Sequence, residues 1–463
     1  MSGTGDVTFG GSGYFPGMVT ISASSLFGSL GSSSVNDLIK TFLTNVTDGV
    51  TTSGINFANW DLPASAVLAG ESVTGSTTNR VDQYADMTTG GGTTSGSAAP
   101  ATVGSSSQDV LMQFSGNVTL AGNSGTQTLV IGDSTNADYT VTDAAAGTMF
   151  LAGGANSVTL YNTSGSTNES IYSAGNDTIN LHGSGSAVVS IYGNGTVIDQ
   201  DVNASVVAAG SASVGLHWEN VNSGGTLHFV NNSSVAATIY IGNQGSQFAS
   251  TRVTADGGAG GGFFVGGSSG QNSLVGGSGV VTLLGAGAGD FLEAQSSIGT
   301  NVLGQGVGLE TLVATSTTGS NLFNAGINYP GLGSPQVSGV ISTDGSGTQN
   351  FFLGNLSGGE TIYGSTQTGA SNAYFVIGDA TAGGGQISLY NFVDSRSTIY
   401  LTNAAGNGGS DAHITAMGWN GFASGWDVSL SDGTNIVMKG LTLQEMGAVH
   451  TLAGSNGIVA IQG

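Results

Sequence analysis

The sequence predicts an all-β chain wound as a β-solenoid, of the β-helix or β-roll kind, with one short helix in its N-terminal region and a hairpin-rich C-terminal cap. Three observations carry that prediction. Short apolar clusters recur about every ten residues, Gly, Asn, Ser and Thr fill the intervals, and no cluster in the repeat region is long enough for a helix. A β-sandwich built from short, evenly spaced strands is the competing architecture.

Residues 1–108 form a non-repeat region. Within it, Val35, Leu38, Ile39, Phe42, Leu43 and Val46 stand at helical spacing behind a Ser34…Asp37 capping pattern and before Asp48-Gly49. This predicts an amphipathic helix over 35–46 that packs on the solenoid or contacts a neighbouring subunit. The segment 88–108, TTGGGTTSGSAAPATVGSSSQ, has the composition of a linker.

The repeats are assigned to 109–402. Apolar clusters fall at Leu120, Val130, Tyr139/Val141, Phe150, Leu160, Ile171, Leu181 and Ile191, loosen through Val206, Leu216, Leu227, Ile239, Phe263, Leu274, Leu283 and Leu292, and resume from Phe351 to Leu401. Val-Ile-Gly-Asp occurs at Val130–Asp133 and again at Val376–Asp379, as duplication of one unit would leave it. A unit of about ten residues holds one strand and one tight turn, so two units close a coil; Gly supplies the positive φ that such turns demand. No rung buries its own face, and stability comes from stacking on neighbours.

Residues 403–463 read as a C-terminal cap or assembly region. Trp426–Leu430 and Thr434–Met438 flank Ser-Asp-Gly433, Ala453 and Ile458 flank Gly-Ser-Asn-Gly457, and both patterns predict hairpins. Between them, Thr442-Leu-Gln-Glu445 predicts one capped helical turn.

Composition narrows the function. The chain has 463 residues, 38% apolar, with 82 Gly, and 5 Lys+Arg against 28 Asp+Glu. That content is enough for a core. Only 7% of residues are charged, so the surface is largely Gly, Ser, Thr and Asn, unlike that of an ordinary cytosolic enzyme. A formal charge of −23 with only Lys40, Arg80, Arg252, Arg396 and Lys439 as cations argues against nucleic acid. The absence of cysteine removes disulfides and thiolate metal sites. Residues 1–20 lack the basic and apolar regions of a cleavable signal peptide, and no stretch has the apolar length of a membrane helix. The expectation is no membrane span, and a chain that is either cytosolic or exported by a route that leaves its N-terminus intact.

At Gly175-Asn-Asp-Thr-Ile179 and Gly285-Ala-Gly-Ala-Gly-Asp-Phe-Leu292 the chain resembles the RTX, or repeats-in-toxin, proteins, whose nonapeptide is Gly-Gly-x-Gly-x-Asp-x-apolar-x. The tail Trp426-Asp-Val-Ser-Leu-Ser-Asp-Gly-Thr-Asn-Ile-Val-Met-Lys-Gly440 and the pattern from Ile387 to Leu401 resemble C-terminal segments of haemolysin-type secreted proteins. The resemblance implies a β-roll, one-step type I export to the cell surface or beyond without a cleaved N-terminal signal, secretion information within residues 403–463, and calcium held between rungs by the repeat Asp and turn carbonyls, which maps onto Asp177 and Asp290. The repeats are degenerate. Tyr172-Ser173 stand where the family has Gly-Gly, Ala286 and Ala288 replace two further glycines, and the units after Asp177 offer Ser184-Gly-Ser186 and Asn194-Gly-Thr196 instead of carboxylates.

Other chemistry is sparse. His182, His217, His228, His413 and His450 form no HxxxH or HxH pair. A solenoid polysaccharide lyase or epimerase needs a base beside clustered carboxylates, and Arg252, Arg396 and Lys439 sit in no such cluster, so the chain reads as a non-enzyme. Asn-x-Ser/Thr triplets such as Asn117-Val-Thr119 follow from composition. Thr140-Val-Thr142 hints at a flat, ice-binding type of face, but Thr-x-Thr does not recur in register along the sequence.

The expected function is structural: a secreted protein that self-assembles into a filament, surface layer or biofilm matrix, because a solenoid has strand edges at both ends to cap or pair. The alternative is a monomeric cell-surface adhesin that binds a glycan or an abiotic surface, with Tyr172, Tyr192, Trp218 or Tyr240 as stacking residues; beyond self-association, the expected partner is a cell-surface polysaccharide.

Overall fold

A computed structural model describes strands at intervals through residues 6–151 and most of residues 155–462; the breaks after 155 fall between strands, the longest at 242–250 and 326–336. The helix expected over 35–46 lies outside the described residues. Within them the chain is nearly all strand, and the strands stack as a parallel β-solenoid. The chain divides into two compact units, Met1–Glu219 and Asn220–Gly463.

In the first unit, Asp6–Gly10 and Met18–Ser22 form an antiparallel hairpin, and parallel pairing begins where Val81–Asp86 meets Ser107–Gln113. From there each coil contributes one strand to each of two parallel sheets. One sheet runs through Ala137–Asp143, Asn156–Asn162, Asn176–Gly183, Asn194–Asp199 and Val214–Trp218. The other runs through Gly147–Leu151, Asn168–Ser173, Ser186–Ile191 and Asn203–Gly210. Register puts like residues above like: Val158, Ile179, Val197 and Leu216 form one interior column, and Met149, Ile171, Val189 and Val206 another. Each of these side chains is almost wholly buried. At about 1.5–3 kcal/mol per buried large aliphatic side chain, the columns are the main source of cohesion.

The second unit repeats the scheme with longer insertions between some rungs. One column runs Ala255, Leu274, Leu292, Leu312, Ile341, Ile362, Leu389 and Met438. Its counterpart in the other sheet runs Phe264, Leu283, Leu303, Phe323, Phe351, Tyr374 and Ile399. Phe323, Phe351 and Tyr374 stack face to face at 5.0 and 4.7 Å, close to the spacing of adjacent strands. At the turns, Gly258 and Gly277 have φ of +52° and +61°, and a Cβ on Gly277 would strike the backbone of Gly258 one rung away. Glycine there meets two needs at once, backbone sign and close approach.

The parallel ladder ends in antiparallel elements. Asn435–Lys439 pairs parallel with Gln386–Tyr390, then Gly425–Leu430 and Ile414–Asn420 add in antiparallel succession. His450–Ala453 and Val459–Gln462 form the second expected hairpin, and the latter strand closes onto Ser397–Thr402. The expected helical turn is Leu443–Ala448, opened by a capping box: the Glu445 N–H donates to Thr442 Oγ1 at 3.2 Å, and the Thr442 N–H donates to Glu445 Oε2 at 2.7 Å. Among the described residues no helix is long and apolar enough to cross a membrane.

Candidate functional site

Inward positions alternate with outward ones along each strand, so a polar residue two places before an apolar column residue also faces inward. In the second unit this rule builds two buried polar columns. In one sheet, Asn301, Asn321, Gln349, Asn372 and Ser397 are in register and at most 2% exposed. Asn301 Nδ2 donates to Asn321 Oδ1 at 3.0 Å, and Asn321 Nδ2 donates to Gln349 Oε1 at 2.8 Å. Farther along, Asn372 Nδ2 donates to the Ser365 carbonyl at 3.0 Å, and its Oδ1 accepts from the Ser365 N–H.

The other sheet places Asn272, Asp290, Glu310, Gly339 and Glu360 along the equivalent line, with the three acids at most 2% exposed. Asp290 is held from all sides. Its Oδ1 accepts from the Asn272 N–H at 2.9 Å and Nδ2 at 2.8 Å; its Oδ2 accepts from the Ala286 and Gly287 N–H groups at 3.0 and 3.2 Å. Burial pushes the Asp290 carboxyl above its ordinary range, while these four donors pull it back down. Asp290 Oδ2 and Glu310 Oε2 both converge on the space beside Gly285, 3.0 and 2.8 Å from where a Cβ would stand.

Asp177, the other residue mapped from the RTX resemblance, lies inside the first unit on Asn176–Gly183, 1% exposed, and its Oδ2 accepts from Ser173 Oγ at 2.7 Å. Ser173 replaces an apolar residue in a column where Leu151 and Ile191 flank it, so hydroxyl and carboxylate satisfy one another inside the core. Among the described residues no group of three or more His, Cys, Asp or Glu side chains converges as a metal site would require. His228, His413 and His450 are exposed, and His182 and His217 half-buried, each on a separate strand or turn.

The described cations serve turns. Arg252 Nε donates to the Gln271 carbonyl at 3.0 Å, Arg396 Nη1 to the Gln367 carbonyl at 3.1 Å, and Lys439 Nζ to the Ala423 carbonyl. Lys40 and Arg80 lie outside the described residues.

Of the four aromatic residues expected to stack on a glycan, Tyr172 and Tyr192 are half-buried neighbours: the Tyr192 N–H donates to the Ser173 carbonyl, and burial together with Tyr192 raises the Tyr172 phenol. Tyr240 is half-buried on Ala237–Ile241, and Trp218 ends the strand Val214–Trp218 opposite Asp199. The longest outward aromatic row among the described residues is one that the sequence does not reveal. Phe352, Phe375 and Tyr400 stack at 4.6 and 5.0 Å with interplanar angles of 8° and 17°. Each inner ring face is occupied by the next ring, so the row presents edges to solvent. Tyr363 and Tyr390 pair in the same way on the other sheet at 4.8 Å.

Register also revises the Thr pattern. Thr119, Thr140 and Thr159 do fall in one column, continued by Asn180, whereas the column two residues on reads Ala121, Thr142, Tyr161 and His182. One threonine file is present, and the paired file is missing.

No protein-family model, curated protein or solved structure matches this chain.

Proposed function

We propose that this chain is a secreted structural protein whose β-solenoid subunits self-associate into an extracellular filament, surface layer or biofilm matrix. The observation that supports this reading most is the use made of the interior. In the second unit the polar side chains with the richest chemistry, Asp290, Asn301, Asn321 and Gln349, are buried and engaged with neighbouring rungs. They hold rungs together, and the described cations cap turn carbonyls. A scaffold spends its polar groups in this way, whereas an enzyme gathers them in an open cleft. The outward stack of Phe352, Phe375 and Tyr400 favours scaffold over adhesin for a related reason, since sugars stack on ring faces and the faces these rings turn toward one another are taken.

Electron microscopy of the purified chain, with calcium and with chelator, tests the proposal. Regular filaments or sheets support it, and a persistent monomer that binds a glycan array sinks it in favour of the adhesin. Calcium belongs to the proposal as an extracellular ligand of the assembly; unchanged assembly and unchanged melting temperature in chelator would remove it.

A further inference from the structure

The strand Ile414–Asn420 pairs antiparallel with Gly425–Leu430 and with no other strand among the described residues. Its second edge therefore presents backbone N–H and C=O groups on which another strand can add. Exposed edges are commonly guarded by Lys, Pro or a charge, and Ile-Thr-Ala-Met-Gly-Trp-Asn has none of these. One guard is present, a bulge between Ile414 and Ala416, and it confines regular pairing to residues 416–420.

Within that regular stretch Met417 and Trp419 share one face, 39% and 54% exposed, and Phe422 in the next turn is fully exposed. Gly418 stands between them. Nothing lies within 4 Å of the position its Cβ would occupy, so packing within one copy does not require glycine there. Glycine inside a strand commonly marks the close approach of another backbone.

We propose that residues 416–420 pair antiparallel with the same segment of a second copy of this chain, about a twofold axis at Gly418. This rests on the self-association proposed above and names the surface responsible. In that register Met417 of each copy lies opposite Trp419 of the other, giving two sulfur–aromatic contacts, and bare backbone at Gly418 lets the strands close. Self-complementarity selects the second copy as occupant: the register about Gly418 sets Met417 against Trp419 twice over, and because the segment carries no charge, copies that each bear a formal charge of −23 oppose no like charges along these strands. The ionisable groups on the adjoining strands are engaged within the hairpin: Asp427 accepts from Asn420 Nδ2, and Lys439 donates to the Ala423 carbonyl.

The chain has no cysteine, so Gly418→Cys in the full-length protein introduces its only thiol. Directly opposed residues of an antiparallel pair have Cα atoms about 4.5–5.5 Å apart, within disulfide reach. Mild oxidation is expected to convert most of Gly418→Cys to a covalent dimer while Val188→Cys, also exposed, stays largely monomeric. Met417→Lys with Trp419→Lys is expected to leave the circular dichroism unchanged and to weaken dimerisation in sedimentation equilibrium by roughly 100-fold, as about 3 kcal/mol of lost contact would. Equal cross-linking of the two cysteine variants, or an unchanged dimer in the lysine variant, overturns the proposal. Filaments that persist in the lysine variant overturn this surface and leave the structural reading standing. A monomeric unsubstituted chain that forms no assembly overturns both, including the case in which the strand is occupied by phosphatidylcholine vesicles or by the chain's own N-terminal residues.

Discussion

The two polar columns inside the second unit occupy equivalent places in the two sheets and meet the cost of burial in different ways. Asn301, Asn321 and Gln349 each carry a donor and an acceptor, so each amide can bond to the rung above and the rung below at the strand spacing. Such a column propagates itself. Carboxylates are acceptors only, so Asp290 is satisfied from the side, by the turn N–H groups of Ala286 and Gly287 and by Asn272. The amide column is a repeating device, whereas the acidic one is a local clasp between a turn and two rungs.

Removing the clasp has the largest expected effect. Asp290→Ala leaves the N–H groups of Asn272, Ala286 and Gly287 buried without their acceptor, and the expected loss is about 3–5 kcal/mol in urea unfolding of the second unit. A loss under about 1 kcal/mol would mean that water or a shifted turn replaces the carboxylate. Asp290→Asn adds a test of charge. Burial raises the Asp290 carboxyl in the folded chain above its unfolded value of about 3.9. Its proton-linked stabilisation is therefore present below that unfolded value and is lost as pH rises through the raised folded value. The asparagine variant lacks this slope, so its deficit relative to the unsubstituted chain should be larger at acid pH than at neutral pH.

Asn321→Asp converts one amide rung to the logic of the other column and comes next. The carboxylate still accepts from Asn301 Nδ2 but now faces the Gln349 carbonyl oxygen with no proton to offer, at an expected loss of about 2–4 kcal/mol at neutral pH. Protonation restores a donor, so the deficit should shrink as pH falls. A deficit independent of pH would show that the column reorganises around the substitution.

Gly285→Ala probes the clasp sterically. A methyl group there would stand 3.0 Å from Asp290 Oδ2 and 2.8 Å from Glu310 Oε2, both on buried side chains, so one carboxylate must move. The expected loss is about 1–3 kcal/mol, and pairing the substitution with Asp290→Ala should be less than additive.

The columns also mark what the sequence could reveal. Apolar positions were legible because a strand repeats with period two and a coil repeats its strands: Leu160, Ile171, Ile179, Leu181 and Ile191 are all core residues. The C-terminal hairpins and the Thr442 cap were legible because Ser-Asp-Gly433 and Thr-x-x-Glu445 are local signals. The buried amides were not. In a surface made of Asn, Ser and Thr, an inward Asn looks like an outward one, and only register separates them. Insertions hide that register: 20 residues separate Asn301 from Asn321, but 28 separate Asn321 from Gln349. Asp290 was read through its turn motif as a ligand position, and its role as the acceptor of that turn's own N–H groups emerges only when neighbouring rungs are in place.

The smallest expected effect has the opposite sign and concerns a polar atom in neither column. Tyr374 is fully buried in the aromatic stack between Phe351 and Phe392, and its hydroxyl lies against Gly364 with no hydrogen-bond partner among the described residues. Burial accordingly pushes its phenol far above the ordinary range. The amides show that this interior accepts polar groups that find partners, and the Tyr374 hydroxyl lacks one. Tyr374→Phe keeps the ring contacts at 4.7 and 6.1 Å and removes only the uncompensated oxygen. The substitution should leave stability unchanged or raise it by up to about 1 kcal/mol, read as a higher urea midpoint with the same slope. A loss of about 1 kcal/mol or more would place a bound water on that hydroxyl, and solvent would then do for the aromatic stack what neighbouring rungs do for the amide column.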